Sequence, residues 1–316
     1  MNQVELKDYP IELFEKAITE FSDAEKIKRP SIRYWPDVWR RLKQNKLAMS
    51  GLLVIVIMII MAAIGPMMNE YDYFIQNYDK INNHPNSEYW FGTDELGRDL
   101  FTRVWYGTRY SLFIGILATI IDVTIGILYG GIAGMASSRV DSIMMRIAEV
   151  IYSLPYLLVV ILLSVVFSTQ GSGTSMFVII LALSLTSWIP MSILVRGQVL
   201  QLKEAEYSLA AESLGASKGW ILKKHIIPNT LGPILVNVTL SIPRAIFAEA
   251  TLSFLSLGLQ APKSSLGTLA NDGLAGLAVG NSYQIIIPAI FISLIMFAFN
   301  VLGDGLRDAL DPRLRK

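Results

Sequence analysis

Residues 47–68 read LAMSGLLVIVIMIIMAAIGPMM, an apolar run with no Asp, Glu, Lys or Arg between Lys46 and Glu70. A helix needs roughly 20 such residues to cross the hydrocarbon core of a bilayer. Stretches such as VIVIMII do not alternate as the strands of a membrane barrel do, so helix is the state that satisfies every backbone group in lipid. Comparable segments follow near 110–135, 145–168, 174–195, 230–258 and 284–303, about six membrane helices in all. The expected fold class is therefore all-α and polytopic.

Composition agrees. Hydrophobic residues make up 53% and charged residues 17% of the 316, too apolar a balance for a soluble domain to cover with polar surface. A net charge of +1 gives no support for a nucleic-acid partner. The chain has no cysteine and only two histidines, His84 and His225, which excludes disulfides and thiolate metal sites and argues against a metal centre. The mixed charge ahead of Leu47 argues against a cleaved signal peptide.

Lys and Arg decide orientation. Lys26, Lys28, Arg29, Arg33, Arg40, Arg41, Lys43 and Lys46 precede the first span, and Arg307, Arg313, Arg315 and Lys316 follow the last. Arg139, and then Arg196, Lys203, Lys218, Lys223 and Lys224, fall in loops on the same side. The reading is that both termini are cytoplasmic. Arg98, Arg103 and Arg109 are exceptions on the outer side, with Asp94, Glu95 and Asp99 close enough to offset them. The expected organisation is a cytoplasmic segment (1–46), a first span (47–68), an extracytoplasmic loop (69–109), a core (110–308) with a cytoplasmic loop at 196–229, and a tail (309–316). Phe14, Ala17, Ile18 and Phe21, and then Trp35, Val38, Trp39 and Leu42, fall at helical spacing. The second set suits a helix at the lipid interface or one packed on protein.

The loop at 196–229 is long for a connection in a compact membrane domain. Tyr207, Ala210, Ala211 and Leu214 form one apolar stripe, with Glu204, Glu212 and Ser213 elsewhere on the wheel. Gly215 suits a left-handed helix cap, Ser217 a cap for a second helix, and Pro228 the entry to the fifth span. Small residues in the stripe would let a partner's backbone approach closely; a purely structural helix-turn-helix is the alternative.

Asp122, Glu149, Arg244 and Glu249 lie inside expected spans, where each is costly unless partnered, so they should point inward, either pairing helices or lining a path. Glu149 is placed to pair with Arg146, and Arg244 with Glu249 or another subunit. Pro155, Pro190, Pro243 and Pro288 are candidate kinks, with Pro155 and Pro243 the candidates for a gate. On the outer side, Trp90 and Phe91 precede a charged turn holding Asp94 and Arg98.

At 209–228 the sequence resembles the membrane permeases of binding-protein-dependent ABC importers. Their loop signature is EAA, then Gly, then Ile-x-Leu-Pro; Ala210, Ala211, Gly215, Ile227 and Pro228 hold matching positions, while Leu209 and His225 depart from it. FGTDELGRDLFTRVWYGTRYSL (91–112), AEATLSFLSLGLQAP (248–262) and LGDGLRDALDPR (302–313) resemble one branch, the C-type subunit of oligopeptide and dipeptide permeases. The resemblance implies a type I importer permease fold in a bacterial or archaeal cytoplasmic membrane. It implies that 203–217 is a coupling helix seated in a separate ATPase, with Glu204, Tyr207, Leu209, Ala210, Ala211, Leu214 and Gly215 at the contact. Trp90, Phe91, Asp94 and Arg98 would meet a solute-binding protein or form an outer gate, unless the aromatics only anchor the interface. The implied partners are a homologous second permease of the B type, two ATPases, one solute-binding protein, a peptide substrate and lipid. ATP and Mg would be used by the ATPases, because this chain has no G-x-x-x-x-G-K-[ST] phosphate loop. Nickel chelates and other small solutes stay open as cargo.

Two other classes compete. Val301 occupies the first Gly of a G-x-G-D pattern ending at Asp304, which argues against an intramembrane aspartyl protease. An ion-coupled secondary transporter or channel would also use intramembrane charge, but has no need of an ATPase-docking helix.

Overall fold

The computed structural model describes residues 34–167, 176–260 and 262–310. Phe14, Ala17, Ile18 and Phe21 lie outside them, as do the basic residues Lys26, Lys28, Arg29, Arg33, Arg313, Arg315 and Lys316. One unit begins at Val38; of the unit before it, only 34–37 are described. Among the described residues there are helices and no strands.

The helices are α1 (Tyr34–Gln44), α2 (Lys46–Ile64), α3 (Leu100–Met135), α4 (Ser138–Tyr152), α5 (Tyr156–Phe167), α6 (Met176–Leu202), α7 (Glu206–Ser213), α8 (Lys218–Ile221), α9 (Ile227–Phe254), α10 (Leu266–Ala278) and α11 (Tyr283–Leu310). Five helical segments are long and apolar enough to span a membrane, and α4 with α5 makes a sixth if taken as one broken span. Leu53, Val56, Ile57, Ile59 and Ile60 of α2 are exposed, as a surface meant for lipid requires.

Several expected boundaries are corrected. The second span begins at Leu100 rather than near 110, so the loop between the first two spans ends at Asp99. At 36 residues α3 is about 54 Å long, against a hydrocarbon core of about 30 Å, so its charged first turns extend past the apolar layer. The third span is not one helix: α4 and α5 meet at a bend of 76° around Pro155. Proline has no N–H to continue α4, and its carbonyl accepts from Leu158 N and Val159 N to start α5. Pro190, Pro243 and Pro288, by contrast, lie within uninterrupted helices. The loop expected at 196–229 is shorter, because α6 runs to Leu202 and α8 continues through a π-helical turn (Leu222–Ile226) into α9. The stretch after 258 contains α10, which the apolar-run criterion did not foresee. Its start is fixed by a capping box in which Ser265 Oγ accepts from Thr268 N and Thr268 Oγ1 from Ser265 N.

Packing follows the small residues. Gly126, Gly130 and Gly134 recur at every fourth position along α3, and a Cβ on any of them would strike α6 at Met191, Ser192 or Val199. Around this seam α9 packs on α3 and α6, while α11 packs on α2, α9 and α10. One core gathers Ile55 and Met58 of α2, Val104 and Trp105 of α3, Leu269 of α10 and Ile295 of α11. A second gathers Ile114, Val160, Leu183 and Leu252 from α3, α5, α6 and α9. Val38 and Leu42 of α1 are buried against Ala48, Ala309 and Leu310, whereas Trp39 stays half exposed, so α1 packs on protein and still presents an aromatic outward.

Candidate functional site

The loop after α6 is held rigidly. Ser208 Oγ donates to Leu202 O at 2.8 Å, tying the start of α7 to the end of α6, and Lys203 Nζ in the turn between them donates to Gly134 O at 3.4 Å, tying that turn to the end of α3. Its other end closes in a Schellman motif: Gly215 N donates to Glu212 O at 2.9 Å and Ala216 N to Ala211 O at 3.0 Å. Gly215 sits at φ +86°, the left-handed conformation expected of it. Ser217 Oγ then caps α8 by accepting from Trp220 N at 3.3 Å. Ile221 and Ile226 are buried against Met191, Val195 and Val199 of α6, so this unit is anchored in the body of the protein.

Tyr207, Ala210, Ala211 and Leu214 line one open cleft together with Trp220 and His225. Leu214 is 90% exposed, and Tyr207, Leu209 and Trp220 are also exposed. Glu204 lies in the turn before α7, not on the helix wheel, and Leu209 is not among the cleft's lining residues. A rigid helix presenting exposed apolar side chains beside small residues is a surface suited to a protein partner.

At the opposite end, the turn 92–99 is folded onto itself. Asp94 Oδ1 accepts from Leu96 N and Arg98 N at 2.9 Å, and Oδ2 from Arg98 Nε at 2.7 Å and from Arg103 Nη1. Arg103 Nη2 reaches Asp272 of α10 at 3.1 Å. Asp99 Oδ2 caps α3 through Thr102 N at 2.8 Å, and Tyr283 and Gln284 of α11 donate to Thr93 O. Asp94 and Arg98 are thus buried parts of an internal network, whereas Trp90 is half exposed and Phe91 packs against Phe101. Asp94 pairs with Arg98 and Arg103 as their closeness suggested, but Arg109 instead caps α2, donating to Ala62 O at 3.0 Å and Ala63 O at 3.1 Å. Asp272 was not foreseen; an acid within the polar ANDG of 270–273 was the available signal.

The intramembrane charges part company. Glu149 pairs with Arg146 at 3.1 Å, but both side chains are exposed rather than inward-facing. Arg244 does not pair with Glu249: its Nε donates to Leu240 O at 3.0 Å. Glu249 is fully buried among hydroxyls, accepting from Ser111 Oγ at 2.9 Å and Ser253 Oγ at 2.7 Å, which joins α3 to α9. Asp122 is buried and its Oδ1 has no partner among the described residues. A pair missed by sequence joins α4 to α6, where Arg196 meets Asp141 in a two-point contact of 2.5 Å and 2.6 Å.

These features define a multi-pass helical subunit of a membrane transport system, with an anchored short helix that presents exposed apolar side chains at one end. The family model for the binding-protein-dependent transport system inner membrane component matches residues 126–316, and that for the N-terminal TM domain of oligopeptide transport permease C matches 33–85. The chain belongs to the binding-protein-dependent transport system inner membrane component family, and is a non-catalytic permease subunit of an ABC importer. It is similar to a dipeptide transport system permease protein of Bacillus subtilis, 54% identical over 294 residues, covering 93% of this chain and 90% of that protein. An oligopeptide transport system permease protein of the same organism is 49% identical over 311 residues, covering 98% of this chain and all of that one. Among solved structures, an inward-facing MetNI methionine ABC transporter aligns at TM-score 0.52 and 17% identity, covering 65% of this chain and 94% of that chain, a likeness of fold.

Proposed function

We propose that this chain forms half of a translocation pathway for small peptides, beside a homologous second permease, and that α7 is the element through which two ATPases drive it. The observation that carries the coupling role is the apolar stripe of α7, with Leu214 90% exposed at its C-cap, on a helix pinned to α6 and entered through a turn bonded to α3. A lever must be rigid where force enters and attached where force is used, and α7 is joined on both sides to long membrane helices. ATP and Mg belong to the ATPases, because the chain has no phosphate-binding loop. The peptide cargo is supported by the names of the relatives, which extend over nearly the whole chain.

Both termini and α7 are placed in the cytoplasm on the distribution of Lys and Arg. Trp90 offers the exposed outer surface for a solute-binding protein, while Asp94 and Arg98 support it from within. The test is reconstitution of the complete system: receptor-dependent dipeptide uptake should be blocked by vanadate and indifferent to collapse of ion gradients. Uptake that follows an ion gradient and ignores vanadate would instead indicate a secondary transporter.

A further inference from the structure

We propose that the cavity between α3, α5, α6 and α9 is a subsite for a zwitterion, taking a free ammonium at Asp122 and a carboxylate at Arg244. This rests on the peptide reading above and adds which part of the peptide the chain holds. The cavity has a volume of about 250 Å³, and Asp122, Tyr156, Thr186, Ser187, Ser241 and Arg244 are among its lining residues.

The argument begins with charge that is left over. The other ionisable groups of this region have partners: Glu149 has Arg146, Asp141 has Arg196, and Glu249 has Ser111 and Ser253. Asp122 has none of these. It is 5% exposed, the hydroxyl of Ser184 is its polar neighbour, its Oδ1 has no hydrogen-bond partner, and it makes no ion pair among the described residues. The hydroxyl of Tyr156, on the same cavity wall, is also buried without a partner. Arg244 is exposed at the mouth of the cavity and donates Nε to Leu240 O, which leaves its Nη atoms free for an acceptor from outside the described residues. A carboxylate and a guanidinium that share a cavity in a membrane protein should close into a salt bridge if nothing else used them. These two remain apart.

A ligand carrying both charges completes both groups at once. An extended dipeptide reaches about 7 Å from end to end, which suits opposite charges too far apart to meet each other. Tyr156, Thr186, Ser187 and Ser241 add hydroxyls for the peptide bond and leave side chains unread, as a carrier of varied peptides requires. A longer peptide would engage the cavity with one terminus at a time.

The test is saturation-transfer NMR on the purified complete transporter, without the solute-binding protein, using L-alanyl-L-alanine, its N-acetyl derivative and its C-terminal amide. The free dipeptide should give clear transfer with the wild type, and each blocked derivative about tenfold less or weaker still. Asp122→Asn should lower the free dipeptide to the level of the N-acetyl form, Arg244→Gln to that of the amide, and Asp122→Glu should preserve binding. Equal signals from the free and blocked dipeptides, or no wild-type signal, overturn the subsite, and this comparison needs no variant. An equal loss of all three ligands in Asp122→Asn would show that Asp122 pairs with the second permease, and also overturns it. Wild-type uptake in proteoliposomes is scored separately: uptake without saturation transfer rejects the subsite alone, whereas no peptide uptake rejects the cargo.

Discussion

Gly215 and Gly219 lie four residues apart, and a Cβ on either would meet nothing within 4 Å, yet they should respond oppositely to substitution. Gly215 is at φ +86°, where a β-branched residue is strained by about 1–3 kcal/mol. Gly215→Val should therefore undo the Schellman closure, fray α7, and reduce both co-purification of the ATPases and peptide uptake severalfold, with Gly215→Asn intermediate. Gly219 lies inside α8, so Gly219→Ala should leave both measurements unchanged and stabilise the helix by up to about 1 kcal/mol. Full uptake with normal ATPase recovery in Gly215→Val would count against α7 as the lever. Where α3 begins, Asp94→Ala leaves the buried Arg98 and Arg103 with only the partly exposed Asp272 as a carboxylate partner, which should cost about 3 kcal/mol and be read as a lower detergent-denaturation midpoint. Local signals at this scale were legible: Gly215 and Ser217 act as the caps their residue types suggest. Partners drawn from distant segments were not. The fate of Glu249 depends on Ser111, far away in the chain, whereas sequence spacing offered only Arg244.

Among the elements, the seam between α3 and α6 depends on absent side chains. A Cβ at Gly130 would run into Ser192 O, a backbone atom that no rotamer change can move. Gly130→Leu should thus separate the helices and destabilise the subunit by about 1–3 kcal/mol or more, seen as a loss of folded protein in the membrane. Gly131, one residue on, would meet the flexible side chain of Leu222 at 3.3 Å, so Gly131→Ala should be tolerated. If the two variants accumulated equally, the close approach of α3 and α6 would not be the reason for the glycines. Long spans could be read from hydrophobicity because lipid demands a minimum apolar length. α10 escaped notice because its 13 residues are too short to span and glycine-rich, so that only its capping box marked it. Pro155 announced a break between α4 and α5, but the 76° turn depends on what each helix packs against, which no local residue encodes.

At the scale of the whole molecule, the orientation read from Lys and Arg is directly testable, because the chain contains no cysteine. Trp90 is half exposed at one end and Leu214 almost fully exposed at the other, so cysteines placed there should react with little disturbance of the core. In right-side-out membrane vesicles, an impermeant maleimide should label Trp90→Cys and leave Leu214→Cys untouched. Inverted vesicles stripped of ATPases should reverse the pattern. Adding the ATPases back should then protect Leu214→Cys, because a groove that grips α7 must cover the side chain that projects furthest from it. Labelling of Leu214→Cys from outside would invert the topology read from Lys and Arg. Unchanged labelling with the ATPases bound would separate topology from coupling, leaving the orientation intact and removing α7 as the point where force enters.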